Sequence, residues 1–239
     1  MAGLQTVKRL MLLLGALIFC VGGFLGLVLS GGEILWSKEN FTVFTLTDKE
    51  TMLTLPCKVP GTELIAKQLM MYEGPFLEGG TDVPVSDITA LLLYNSGQQE
   101  IAQAEVILQA QQELTFFASN IMPGAQVLVL ERNAASWQNW QIAACTGWTN
   151  QSQRSSLPEG ALQIRDVDMG TIAVTNTTDQ TLTDVWLYYK NYLPQSEIYI
   201  GGITYLKTIV SLAPGQTMKL PLNNYASGYS RILKAEMIP

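Results

Sequence analysis

DITALLLYNSGQQEIAQAEVIL (87–108) and MGTIAVTNTTDQTLTDVWLYY (169–189) follow one pattern. An apolar run ends at an asparagine, Asn95 or Asn176, which opens a polar turn. Six residues later stands Ile101 or Leu182; alternate apolar positions follow at Ala104 and Val106, or at Val185 and Leu187. A two-residue period is that of a half-buried β-strand. Each copy then reaches a Pro-Gly turn, Pro123-Gly124 or Pro214-Gly215. Ile121 or Leu212 precedes it, and Val127 and Val129, or Met218 and Leu220, follow it. The pattern therefore predicts strand, Asn turn, strand, strand, Pro-Gly turn, strand, written twice. From Asn to Pro the second copy is longer by ten residues, which fall in KNYLPQSEIYIGG (190–202) as a projecting hairpin.

Each copy ends in an aromatic-bearing loop and a further strand, WQNWQIAAC (137–145) and YSRILKAEM (229–237). Ahead of the repeat, FTVFTL (41–46) and TMLTLPC (51–57) read as a hairpin completing the first sheet pair. TELIAKQLMMY (62–72) fits either a helical face or a buried strand and is read as strand; EGPFLEGGTDVPVS (73–86), rich in Gly, Pro and acids, reads largely as loop. Short strands punctuated by turns indicate sandwiches. The expected fold is all-β: two tandem antiparallel β-sandwiches, 41–150 and 158–239, joined by the polar tract NQSQRSSLP (150–158) and following one N-terminal transmembrane helix.

That helix is LMLLLGALIFCVGGFLGLVL (10–29), extended to 10–30 by Ser30. Its twenty uncharged residues span about 30 Å as a helix, the thickness of a bilayer core. Lys8 and Arg9 precede it, so the positive-inside bias puts residues 1–9 in the cytoplasm and the C-terminal bulk outside the plasma membrane, past a stalk at 31–40. A retained signal-anchor competes with a cleaved signal peptide, which usually has a shorter apolar core, and with a lipoprotein using Cys20, where the bulky Phe19 is unfavourable; the anchor is preferred. Gly22, Gly26 and Ser30 share one helix face, where small residues would let two helices approach as a homodimer; the simpler reading is that glycine is common in membrane helices.

The chain carries 14 cations against 20 anions, a net charge of −6, and no Lys/Arg cluster. Nucleic acid is therefore not an expected partner. There is no histidine, which removes serine–histidine and cysteine–histidine catalysis. Cys57 and Cys145 both lie in the outer part, where oxidation is permitted; they read as a disulfide or as two buried thiols.

TNTTDQTL (175–182) and SLAPGQTMKL (211–220) give the repeat a resemblance to the immunoglobulin-like and fibronectin-type-III-like modules of bacterial surface proteins. EGPFLEGG, ACTGW and GGITY look like segments of uncharacterised membrane-anchored bacterial surface proteins. The resemblance implies architecture and transfers no residue roles.

No catalytic, cofactor or metal residues stand out. Asp166, Asp168 and Gly170 form a fragment of a calcium loop that lacks its remaining oxygen ligands, so they read as a turn. Trp137 and Trp140 could present a platform for sugars or a partner, or plug the end of a sandwich. Tyr192 and Tyr199, on the hairpin insertion, could form a protein-binding surface. The expected function is a non-enzymatic, membrane-anchored binding or assembly protein with a protein or cell-surface partner. The alternatives are a carbohydrate-binding or enzyme-accessory module and an accessory subunit of a membrane complex.

Overall fold

A computed structural model describes residues 33–36, 41–48, 53–79, 83–110, 112–136, 142–151 and 156–237. The transmembrane reading of 10–30, with Cys20, Gly22, Gly26 and Ser30, lies outside them, as do Trp137 and Trp140. Among the described residues no helix is long and apolar enough to cross a membrane.

The described chain is all-β. Its strands are β1 (Glu33–Trp36), β2 (Phe41–Asp48), β3 (Cys57–Lys58), β4 (Leu64–Pro75), β5 (Pro84–Asn95), β6 (Ile101–Gln109), β7 (Leu114–Ile121), β8 (Gln126–Leu130), β9 (Ala144–Gln151), β10 (Leu162–Asp168), β11 (Thr171–Asn176), β12 (Leu182–Leu193), β13 (Ile198–Leu212), β14 (Thr217–Pro221) and β15 (Ser230–Met237). They form a large sheet, β1-β2-β4-β5-β8-β13-β12-β15 with β3 also on β4, and two three-stranded sheets, β7-β6-β9 and β10-β11-β14.

The sequence repeat is a structural one. The order β4-β5-β8 recurs as β10-β11-β14, and β7-β6-β9 recurs as β13-β12-β15. Alternation along β6 and β12 buries Ala104, Val106 and Leu108, or Val185, Leu187 and Tyr189. In the first copy these side chains meet Leu91, Leu93, Val127 and Val129; in the second they meet Ile172, Val174 and Leu220.

Asn95 and Asn176 pin each copy together from the same position. Both are fully buried. Asn95 Nδ2 donates to the carbonyls of Gln99 (2.9 Å) and Ile121 (3.0 Å); Asn176 Nδ2 donates to those of Gln180 (2.7 Å) and Leu212 (2.8 Å). Their own carbonyls accept from Gly124 N and Gly215 N of the Pro-Gly turns. Those glycines have φ of 71° and 70°, a left-handed conformation that a Cβ disfavours.

Three expectations are corrected. Residues 41–57 do not form a hairpin: β2 and β3 pair with separate stretches of β4, and β2 pairs with β1, which falls in the stretch read as a stalk. The segment 73–86 is shorter as a connection than expected, because β4 runs to Pro75 and β5 starts at Pro84; a 3₁₀ turn at Leu77–Gly79 lies between them. The insertion at 190–202 does not project. Its return strand lies against β8 in parallel, with Ile198, Tyr199 and Ile200 opposite Gln126, Val127 and Leu128. That single junction makes one sheet run through both copies.

The junction explains why β5 is apolar on both faces. Leu91 and Leu93 face the first core, while Ile88, Ala90 and Leu92 face a second cluster with Tyr72, Leu77, Leu128, Leu130, Leu193 and Ile200. The Leu77–Gly79 turn and the hairpin insertion thus cover the outer face of the first copy's sheet.

Candidate functional site

A cluster of buried polar groups lies where β8 meets β13. Register slips between Tyr189 and Asn191 of β12, so Gly201 to Thr204 bulge out of the β12–β13 ladder. Gly201 has φ of 82°. A Cβ on Gly202 would overlap the Phe117 carbonyl oxygen of β7, so only glycine allows this approach. Beside it, Ser119 Oγ donates to the Gly202 carbonyl (3.1 Å), and Thr204 Oγ1 donates to the Ser119 carbonyl (3.1 Å).

Two buried charges meet at this bulge. Glu78 Oε1, from the 3₁₀ turn, accepts from Leu130 N of β8 and Gly202 N of β13, both at 2.8 Å. It bridges the strands through one oxygen, while Oε2 is buried without a hydrogen-bond partner among the described residues. Lys190 Nζ, from β12, donates to the carbonyls of Gly201 (3.2 Å) and Gly202 (2.8 Å). Burial pushes the Lys190 ammonium down to about 7, against the opposing pull of Glu78. Burial pushes the Glu78 carboxyl up, opposed by the Gly202 and Leu130 amides and by Lys190.

A second cluster joins the copies at β15. Lys234 Nζ lies 2.8 Å from a carboxylate oxygen of Glu100, in the Asn95 turn, and 2.5 Å from Glu236 Oε1. Asn120 Nδ2 donates to Glu100 Oε1 at 2.7 Å. Lys234 also lies over the Tyr188 ring, 4.9 Å from its centroid.

Tyr192 and Tyr199 belong to the same junction. Tyr192 is buried, with the Arg231 guanidinium 3.7 Å from its ring centroid and the Tyr199 ring at 5.0 Å. Tyr192 is buried inside the chain, whereas Tyr199 is half-buried against the first core. Tyrosines at these positions could not be separated from surface ones by sequence alone, because the partner, β8, stands some 70 residues earlier.

Cys57 and Cys145 are free thiols that pack into the same core cluster, and Cys145 Sγ donates to the Thr146 carbonyl at 4.0 Å. β3 carries Cys57 on the large sheet and β9 carries Cys145 on the facing sheet, so the pair spans the first core. Burial pushes the Cys145 thiol up to about 12, with Cys57 adding to the shift; the Cys57 thiol is raised as well, chiefly by burial.

The remaining candidates are structural. Asp166 accepts from Tyr225 OH (2.6 Å) and Ser227 Oγ (2.5 Å), and Asp168 Oδ1 accepts from Gly170 N (3.0 Å), so these carboxylates fasten a turn. No group of three or more Cys, Asp or Glu that could hold a metal is found among the described residues. Glu131, fully buried, is satisfied by the amides of Thr115, Asn133 and Ala135. A polar recess lies beside the Asn95 turn, lined by Glu63, Gln98, Gln99, Thr149 and Gln151.

No family model matches the chain, and a search of curated proteins finds no similar sequence.

Proposed function

We propose that this chain is a membrane-anchored, extracytoplasmic binding and assembly protein. Two β-sandwich modules would stand as one stiff body on an N-terminal anchor at 10–30, without catalysing a reaction. The observation that carries this reading is the continuous sheet through β8 and β13. Two modules joined only by a polar tract would move independently. Here, two buried charge clusters and a shared sheet hold one orientation. Such a body suits presentation of loops and strand edges at a fixed distance from a membrane. The immunoglobulin-like resemblance of the repeat agrees with that role.

The test is topological and functional. On intact cells expressing the full chain, a protease should remove a C-terminal tag and leave an N-terminal tag protected, and chemical cross-linking should capture a surface or membrane partner. Protection of the C-terminal tag, or turnover of a substrate by the purified chain, would sink the proposal. Carbohydrate binding is the second reading, favoured by the amide-rich recess at Gln98, Gln99 and Gln151. Glycan-array binding abolished by Gln99→Ala with Gln151→Ala would move the assignment there.

A further inference from the structure

We propose that the outer edge of β13 from Leu206 to Leu212 pairs with the same edge of a second copy of this chain. Among the described residues, this stretch is paired on one side only, with β12; the β8 pairing ends at Ile200. An unpaired strand edge offers a row of backbone donors and acceptors, and proteins normally guard it with charge, proline or a covering segment. The other edges of the second copy carry such guards. β14 has Lys219 and Pro221, β10 has Arg165, Asp166 and Asp168, and β15 is bridged by Ser156. The segment LKTIVSL has one charge, Lys207, and leaves Val210 at 74% and Leu206 at 45% exposure.

The sequence fits itself. In an antiparallel pair centred on Thr208, Leu206 of one copy faces Val210 of the other, and the two-fold axis repeats that contact. Lys207 then faces Ile209, so the two lysines are not opposed. Centring on Lys207 would bring them together, which disfavours that register. Leu206, Thr208 and Val210 are all exposed and lie on one face of the strand, so pairing would join them into a common apolar stripe without moving the core. The second copy is thus the partner that the apolar and charge patterns select.

The test uses the purified full-length chain with Thr208→Cys and a short thiol–thiol cross-linker, compared with the unsubstituted chain and with Lys219→Cys on β14. The expected result is a covalent dimer at Thr208→Cys above both controls. Adding Val210→Asp should lower its yield about tenfold, since the two-fold axis applies the lost contact twice. Because Val210 is exposed, that variant should keep the strand-rich circular dichroism of the parent. Cross-linking at background level, equal cross-linking at Lys219→Cys, or a yield unchanged by Val210→Asp in a folded chain would each overturn the proposal.

Discussion

Glu78 and Lys190 hold opposite ends of one peptide unit. Lys190 Nζ donates to the Gly201 carbonyl, and Glu78 Oε1 accepts from the Gly202 amide of the same peptide. The charges therefore compensate each other across a backbone dipole at the point where the β8–β13 pairing ends. Removing one partner strands the other. Lys190→Met should destabilise the chain by about 3–5 kcal/mol, and Glu78→Gln by less, because an amide oxygen can still accept from Leu130 and Gly202. The double variant Glu78→Gln/Lys190→Met should cost less than the sum. Urea denaturation of the four chains gives the cycle; strict additivity would show that the two side chains do not act together.

The same pair has a pH signature. The Lys190 ammonium is lowered from 10.5 to about 7 on folding, so between those values the unfolded chain binds the proton more readily. Stability contributed at this site rises with pH across that window. Glu78 works the other way: its carboxyl is raised above 4.5, so stability is lost as pH climbs from 4.5 through its folded value. From pH 7 to pH 9.5, the parent should gain on the order of 1 kcal/mol or more relative to Lys190→Met. Denaturation midpoints at the two pH values check this, and parallel behaviour of the two chains would contradict it.

Gly202 sets how closely β13 approaches β7. A Cβ there would overlap the Phe117 carbonyl, which is backbone and cannot rotate away. Gly202→Ala should cost about 1–3 kcal/mol or more and loosen the junction. At Gly215 a Cβ meets nothing within 4 Å, so Gly215→Ala should cost only about 1 kcal/mol, from its positive φ. Hydrogen exchange should show faster exchange at the Leu130 amide, which shares the Glu78 acceptor, in Gly202→Ala but not in Gly215→Ala.

Asn95 and Asn176 show what could be read before the structure. Their spacing to Ile101 and Leu182, and to the Pro-Gly turns, marked two copies of one strand pattern, because local turns and two-residue alternation leave a local trace. Their role as buried staples left little trace: the acceptors Ile121 and Leu212 are distant in the chain, and an asparagine in a turn needs no such partner. The junction was less legible still. KNYLPQSEIYIGG was visible as an insertion, but its docking on β8 depends on a parallel pairing between copies, which no short-range pattern encodes. Glu78 stood in a segment that composition marked as loop, and its burial follows from the insertion lying over it. Replacing Asn95 with Ala should cost roughly 2–4 kcal/mol, since it removes the side-chain bonds and orphans the Ile121 carbonyl. Asn176→Ala should cost a similar amount, and thermal unfolding of both variants would test the equivalence.

Cys57 and Cys145 supply the last prediction. Their thiols lie in one core cluster on facing sheets, so a disulfide would close a loop of about 90 residues and stabilise the chain by roughly 4–5 kcal/mol on the chain-entropy account. Oxidation needs a thiolate, and burial holds both thiols protonated at neutral pH, Cys145 more firmly with its value at about 12. Cys57 is the more accessible of the two and should attack first. With a small disulfide such as oxidised glutathione, the Cys57 thiolate forms a mixed disulfide and releases one glutathione thiol; Cys145 then displaces the second, leaving the protein disulfide and two reduced glutathiones. The reaction should be slow at pH 7 and several-fold faster at pH 9. Mass spectrometry after thiol trapping should show Cys57 mixed disulfide first and then loss of both free thiols, with a rise in melting temperature. Cys145→Ser should stop at the mixed disulfide, and a Cys57 that reacts no faster than Cys145 would contradict this order of attack.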